Sequence, residues 1–340
     1  MAEIYDKSDM KSVLEALPQQ IKDSYDMPNN ITLKGNPENI IMCGMGGSSI
    51  SEFIFAQYLK ELDAKIPVFC VQDYDLPPYI TRNSLVLIAS YSGNTEESLS
   101  CYKQAIKNGH NIIVIASGGK LLEYANNAKI PVVVIPKGLQ PRNAIAYMFF
   151  PLIRIFESSG IIPNQSDKVK RLVHALTQNK QAYMHSAQEI AEKCIGRIPI
   201  IYSSDNLYSI AYRWKSEFNE NSKIPAFCNK FPELNHNEII GFVNYAKLGI
   251  PMHIIMLHDI ADHKRVQKRM SITKKLIREM TQDKIIFTDL AINGDDLLAR
   301  LFSAIFVGDM TSYYLALQYQ TDPTPVDVIE KFKKEMGPMI

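Results

Sequence analysis

Two segments hold residue types whose spacing could do chemistry. Ser90-Tyr91-Ser92-Gly93-Asn94-Thr95 puts three hydroxyl side chains and a glycine where the apolar run Leu85 to Ala89 ends. Glu220-Asn221-Ser222-Lys223, followed by Pro232-Glu233-Leu234-Asn235-His236-Asn237-Glu238, supplies a carboxylate and an imidazole sixteen residues apart. The first set suits a phosphate dianion. Free backbone N–H groups at a helix N-terminus favour an anion, and short hydroxyls add donors. Glycine lets the backbone come close. Gly46, Gly47 and Ser48, after the run Ile40 to Cys43, meet the same need. Such residues also cap ordinary helices, but one helix start does not require three hydroxyls. The second set suits proton transfer. A carboxylate in a dry pocket has its pKa raised toward neutrality and can carry a proton between adjacent carbons. An imidazole serves a second acid–base step near pH 7.

Other chemistries find less support. A dinucleotide fingerprint wants GxGxxG; Gly44 and Gly46 fit and Asp73 follows the second apolar run, but the third position is Ser49. No GxxxxGK[ST] loop occurs. The cysteines, Cys43, Cys70, Cys101, Cys194 and Cys228, are odd in number and form no CxxC pair. His253, His258 and His263 have no coherent ligand spacing, so no metal is expected. With 37 basic and 36 acidic residues the net charge is +1, which gives no general attraction for nucleic acid or a membrane surface. The basic stretch His263 to Lys275 reads as the solvated face of a helix. Anion binding must therefore be local. Met1 to Lys11 lacks the apolar core of a signal peptide, and no run approaches the roughly 20 apolar residues of a membrane span. Thiols within apolar runs fit a reducing cytoplasm.

The elements that must position these residues follow from periodicity. At 340 residues, 46% hydrophobic and 21% charged, the chain is long enough for two cores. Residues 8–26 carry a helical apolar stripe. Five strand-sized apolar runs follow at 40–43, 67–71, 85–89, 111–116 and 131–135, with helices expected at 48–62 and 94–108. Continuous apolar runs separated by helices predict an α/β fold with a parallel sheet covered on both faces. In such a sheet both glycine and hydroxyl loops lie at the carboxyl ends of strands, where ligands bind. A polar helix over 165–194 leads to a looser repeat of the theme. It has strands at 198–202, 226–228, 252–257 and 284–288 and helices over 262–280 and 295–319. Asp322-Pro323-Thr324-Pro325 opens a last helix to Met336. The domain division falls between about 155 and 175.

These motifs resemble those of the sugar isomerase (SIS) fold and, more closely, of the bifunctional phosphoglucose/phosphomannose isomerases. The resemblance spans essentially the whole chain. It is carried by Gly44-Met45-Gly46-Gly47-Ser48, Ser90 to Glu97, Pro141-Arg142, Asn219-Glu220-Asn221-Ser222-Lys223 and Asn235-His236-Asn237-Glu238. It implies two SIS domains, residues 1–155 and 165–340, each a five-stranded parallel sheet within three αβα layers. It also implies a cofactor-free aldose–ketose isomerase acting on glucose, fructose and mannose 6-phosphates through a cis-enediolate, as a cytoplasmic homodimer of central carbohydrate metabolism. By the same resemblance Gly47, Ser48, Ser90, Ser92 and Thr95 would hold the phosphate, and Glu220 would be the base. Arg142 would stabilise the enediolate, and His236 would open the ring from the partner subunit. Lys331 would assist ring opening. Thr324 would leave room for the enediol to rotate about C2–C3, seven residues and two helical turns before Lys331. Ser49 stands where relatives often carry another glycine. An SIS isomerase for an aminosugar phosphate, or a non-catalytic sugar-phosphate sensor, would carry the same phosphate loop.

Overall fold

A computed structural model of the chain describes residues 2–33 and 35–337. Two compact units are present: Leu17–Val173 with the chain end from Met336, and Met1–Ala16 with His174–Glu335. Helices α1 (Ala2–Tyr5) and α2 (Met10–Glu15) precede α3 (Leu17–Tyr25). The stripe over 8–26 is thus two helices: Pro18 has no N–H to continue the ladder and sits well only in a first turn. The first sixteen residues, read from sequence as the start of the first domain, group with the second unit. Met10 and Leu14 are buried there, and Glu15 pairs with Lys180 at 2.5 Å.

The unit of residues 17–173 alternates β1 (Ile40–Cys43), α4 (Gly46–Glu61), β2 (Val68–Val71), β3 (Leu85–Ser90), α5 (Glu96–Asn108), β4 (Asn111–Ala116), α6 (Gly119–Asn127), β5 (Val132–Val134) and α7 (Ile145–Ser158). Its sheet is five-stranded, parallel and ordered β2-β1-β3-β4-β5. The inner strands β1 and β3 are buried throughout, as doubly covered strands must be. Ile41, Val86, Ile88 and Val114 pack beneath Leu99, Tyr102 and Leu121. On α4, Phe55 meets Phe149 and Phe156 of α7 edge-on, at 5.8 and 5.0 Å between ring centres. Each such ring contributes about 2–3 kcal/mol by burial, and together they fix the helix whose N-terminus follows β1. Helices α6 and α7 escape the sequence reading; α7 carries Pro151 in its interior, where a proline argues against a helix.

Helix α8 (Ser166–Cys194) leads to β6 (Ile198–Ser204), α9 (Tyr208–Glu220), β7 (Phe227–Phe231), α10 (Tyr245–Leu248), β8 (Met252–Asp259), α11 (Lys264–Thr281), β9 (Ile286–Ile292), α12 (Leu297–Gln318) and α13 (Asp327–Met336). The second sheet is parallel with order β7-β6-β8-β9. The α/β class with two parallel, helix-flanked sheets holds. Among the described residues, however, the second sheet has four strands where five were expected. After Ile292 the chain offers no further strand-sized run: residues 297–318 form one long helix, buried along most of its length.

Candidate active site

The loops after β1 and β3 are joined to each other. Gly46 opens α4 with φ +53, and no side chain caps that helix, so its first N–H groups stay available. Ser48 is buried, and its Oγ accepts the Tyr91 N–H at 3.2 Å, tying the first loop to the second. Within the second loop Ser90 Oγ meets Thr95 Oγ1 at 2.9 Å and accepts the Gly93 N–H at 3.1 Å. Ser92 is exposed and its Oγ accepts the Asn94 N–H at 3.2 Å. Thr95 begins α5 without a side-chain cap bond. Gly93 is obligatory twice over: its φ is +68, and a Cβ there would lie 1.8 Å from the Gly118 carbonyl oxygen. Tyr91 anchors the loop from behind, donating to Pro136 O at 3.0 Å and accepting from Leu139 N at 2.8 Å.

Arg142 comes to the same place. It lies in the 3-10 turn Pro141–Ala144, only 2% exposed. A Cβ on Gly47 would stand 2.8 Å from the Pro141 carbonyl and 2.9 Å from Arg142 Cα. Gly47 is therefore where the Arg142 turn seats on the start of α4. Five of the residues singled out from sequence, Gly47, Ser48, Ser90, Thr95 and Arg142, therefore lie in one set of linked loops, with Ser92 exposed on the second of them.

Beneath it lies Glu52 of α4, 1% exposed, with no hydrogen-bond partner on either carboxyl oxygen. Its Oε1 would be 2.9 Å from a Cβ on Gly44. Burial, and then the Cys101 thiol, push its pKa well above the ordinary carboxylate range.

In the other unit Glu220 is the last residue of α9 and half-buried. A buried network holds that helix end. Arg213 bonds Asp309 at 2.9 and 2.7 Å and approaches Glu217 at 3.2 Å. Burial opposes its charge, but Asp309, Glu217 and Glu220 outweigh this and raise its pKa. Asn221 donates to Glu217 at 3.0 Å and to Ser312 at 2.9 Å, and Ser222 donates to the Ser312 carbonyl at 2.6 Å. Sequence reasoning missed this support. The i, i+4 spacing of Arg213 and Glu217 was a readable signal; Asp309, ninety-six residues on, was not.

His236 ends the turn Glu233–His236 and is exposed. Its neighbours are pinned. Asn235 donates to Thr273 at 2.7 Å, Asn237 to Glu233 at 2.8 Å, and Glu238 accepts from Tyr202 Oη and from Asn229 at 2.5 Å. The segment fixes a backbone and presents the imidazole outward. Thr324 and Lys331 do not share a helix face as expected. Helix α13 begins only at Asp327, and Thr324 lies in the preceding turn, its N–H bonded to Asp322 Oδ1 at 3.0 Å. Pro325 explains this, because the residue before a proline is driven from the helical region. Lys331 is exposed on α13, 3.7 Å from Glu335. Among the described residues no cluster of His, Cys, Asp and Glu could hold a metal ion.

Residues 184–336 match the family model of the bacterial phospho-glucose isomerase C-terminal SIS domain. The chain is 40% identical over 332 residues to a bifunctional phosphoglucose/phosphomannose isomerase of Caldicellulosiruptor bescii, covering 94% of this chain and 97% of that protein. It is 36% identical to one from Aquifex aeolicus, covering 88% and 90%. A D-glucosamine-6-phosphate 4-epimerase of Sulfolobus acidocaldarius is 38% identical, over 59% and 63%. The fold superposes with a TM-score of 0.70 on the C-terminal domain of glucosamine-fructose-6-phosphate aminotransferase from Francisella tularensis, 15% identical over 93% of this chain and 97% of that one.

Proposed function

The chain belongs to the family of bifunctional phosphoglucose/phosphomannose isomerases and interconverts glucose, fructose and mannose 6-phosphates, and we propose the following division of labour for it. Gly47, Ser48, Ser90, Ser92 and Thr95 hold the substrate phosphate at the N-termini of α4 and α5, where uncapped N–H groups and helix dipoles favour a dianion. Glu220 takes the proton from C2 or C1 and returns it to the neighbouring carbon. The guanidinium of Arg142 stabilises the enediolate oxygen that forms between the two transfers. His236 and Lys331 open the ring. Thr324, smaller than a glutamine, leaves the enediol free to rotate, so the proton can return to either face of C2.

The observation that carries this reading is the seating of the Arg142 turn on Gly47, which puts a buried cation beside the phosphate loop. The protein acts as a homodimer in which the partner subunit receives His236. In support, His236 is exposed on the single chain and is followed by exposed Ile240, Val243, Leu248 and Ile250, an apolar set suited to a second copy. We place the enzyme in the cytoplasm, in glycolysis and gluconeogenesis, which agrees with five free thiols. No described helix is long and apolar enough to cross a membrane.

The test is turnover of fructose 6-phosphate with glucose and mannose 6-phosphates read separately. Glu220→Gln should lower kcat by about a thousandfold for both products, with KM nearly unchanged. Undiminished exchange of the C2 proton with solvent in that variant would remove Glu220 as the base.

A further inference from the structure

Lys223 has no part in the division of labour above, yet its ammonium engages backbone on two sides. It donates to the carbonyl of Glu220 and, at 3.1 Å, to the carbonyl of Pro323. One acceptor belongs to the residue that ends α9, the other to the residue before Thr324. The backbone of Lys223 is left-handed, φ +58, a region a long side chain rarely occupies unless its surroundings impose it. The surroundings do so: Asn221 and Ser222, both buried, are bonded to Ser312 of α12. On the other side the 322–325 turn is closed by the Thr324 N–H on Asp322. A cation is also favoured among the unpaired carbonyls at a helix C-terminus. The exposed lysine is therefore held as a tie between two loops.

We propose that Lys223 is a positioning residue that fixes the Glu220 end of α9 against the 322–325 turn and so sets how the intermediate partitions between glucose and mannose 6-phosphates. This rests on the roles proposed for Glu220 and Thr324. The epimer formed depends on where the base stands relative to the side chain that limits rotation about C2–C3. Lys223 bonds the backbone beside each of them. Without the ammonium both loops relax independently, while the phosphate loops and the carboxylate itself remain. The signature is then a changed product ratio with KM intact.

Three variants of the full chain test this on fructose 6-phosphate, both products being measured. Lys223→Met keeps length and loses the donors. Lys223→Asn also loses them but favours the left-handed backbone, which guards against misfolding of the first. Lys223→Arg keeps donors and charge. The Met and Asn variants should shift the mannose-to-glucose product ratio about threefold or more and lower kcat about tenfold, with KM within about twofold; the Arg variant should keep the original ratio. Thr324→Ala is the reference. A ratio that moves in Thr324→Ala but stays fixed in both donor-less variants overturns the proposal alone. A ratio that does not move in Thr324→Ala removes the Thr324 role and the proposal with it.

Discussion

Strand for strand, β2-β1-β3-β4 of the first sheet corresponds to β7-β6-β8-β9 of the second, yet the loops leaving their carboxyl ends differ in chemistry. After β1 and β3 come glycines and hydroxyls, with helix N-termini left uncapped. At the ends of β6 and β8 stand Ser204-Asp205 and Asp259-Ile260-Ala261-Asp262. There Asp259 forms an ion pair with Arg300 at 2.8 Å and accepts from the Ala261 N–H at 2.9 Å, and α11 is capped by His263. One strand edge offers donors to a phosphate. The other has filled the same place with carboxylates and an internal cation, which repel or exclude a dianion. In that unit the proposed base sits at the opposite end of the corresponding helix: Glu220 closes α9, whereas Gly46 and Gly47 open α4. On the roles proposed above, one topology supplies a binding unit and a reacting unit by moving polar residues from one helix end to the other.

The sharpest way to break this contrast is at Asp259. Asp259→Ala leaves Arg300, 6% exposed, without its partner, and breaking a buried pair from one side costs about 3–5 kcal/mol. Denaturant melts should show that loss, while KM for fructose 6-phosphate stays unchanged. A rise in KM comparable to the stability loss would mean the second strand edge does contact substrate.

Acidity separates the units next. His253 of β8 is buried between Cys194 Sγ at 3.2 Å and Thr288 Oγ1 at 2.9 Å, and burial, with Lys193 and Arg197 nearby, lowers its pKa to about 3. The unfolded chain therefore binds a proton below pH 6.5 that the folded chain refuses until about pH 3. Stability from this group is present above pH 6.5 and falls with pH, by about 2 kcal/mol at pH 5. Glu52 works in the other direction. Its folded pKa is raised, so its contribution is whole below the ordinary carboxylate range and declines as pH rises. Melting across pH 5 to 9 should show His253→Gln flattening the acid limb and Glu52→Gln the alkaline limb. Parallel curves for wild type and both variants would refute the assignment.

Much of the contrast was legible in the sequence because it is local. Hydroxyls and glycines after an apolar run mark a strand–loop–helix anion site. The strands β1, β3 and β4 declared themselves as unbroken apolar runs. What stayed hidden was either interrupted by a proline, as α7 is by Pro151, or long-range. Neither the Arg213–Asp309 pair nor the contact of Gly47 with the Arg142 turn has a sequence spacing that betrays it. Thr324 was misplaced on a helix face because heptad spacing was followed across Pro325, where the helical ladder has not yet begun.

Gly47 sharpens the comparison at the smallest scale, a single methyl group. In Gly47→Ala the new Cβ meets backbone, not a yielding side chain: Pro141 C and O at 2.8 Å and Arg142 Cα at 2.9 Å. The turn must move, and Arg142 moves with it. Because Gly47 is proposed to bind phosphate and Arg142 to stabilise the enediolate, KM should rise and kcat fall, each about tenfold. The matched change in the second unit is Asp205→Ala, directly after β6. Asp205 is exposed and pairs at the surface with Lys230, a contact of little energetic weight. Kinetics of that variant should match the parent. If Gly47→Ala instead altered stability while leaving both constants alone, the Arg142 turn would be a packing element, and the buried guanidinium would no longer connect the phosphate loop to the reacting carbons.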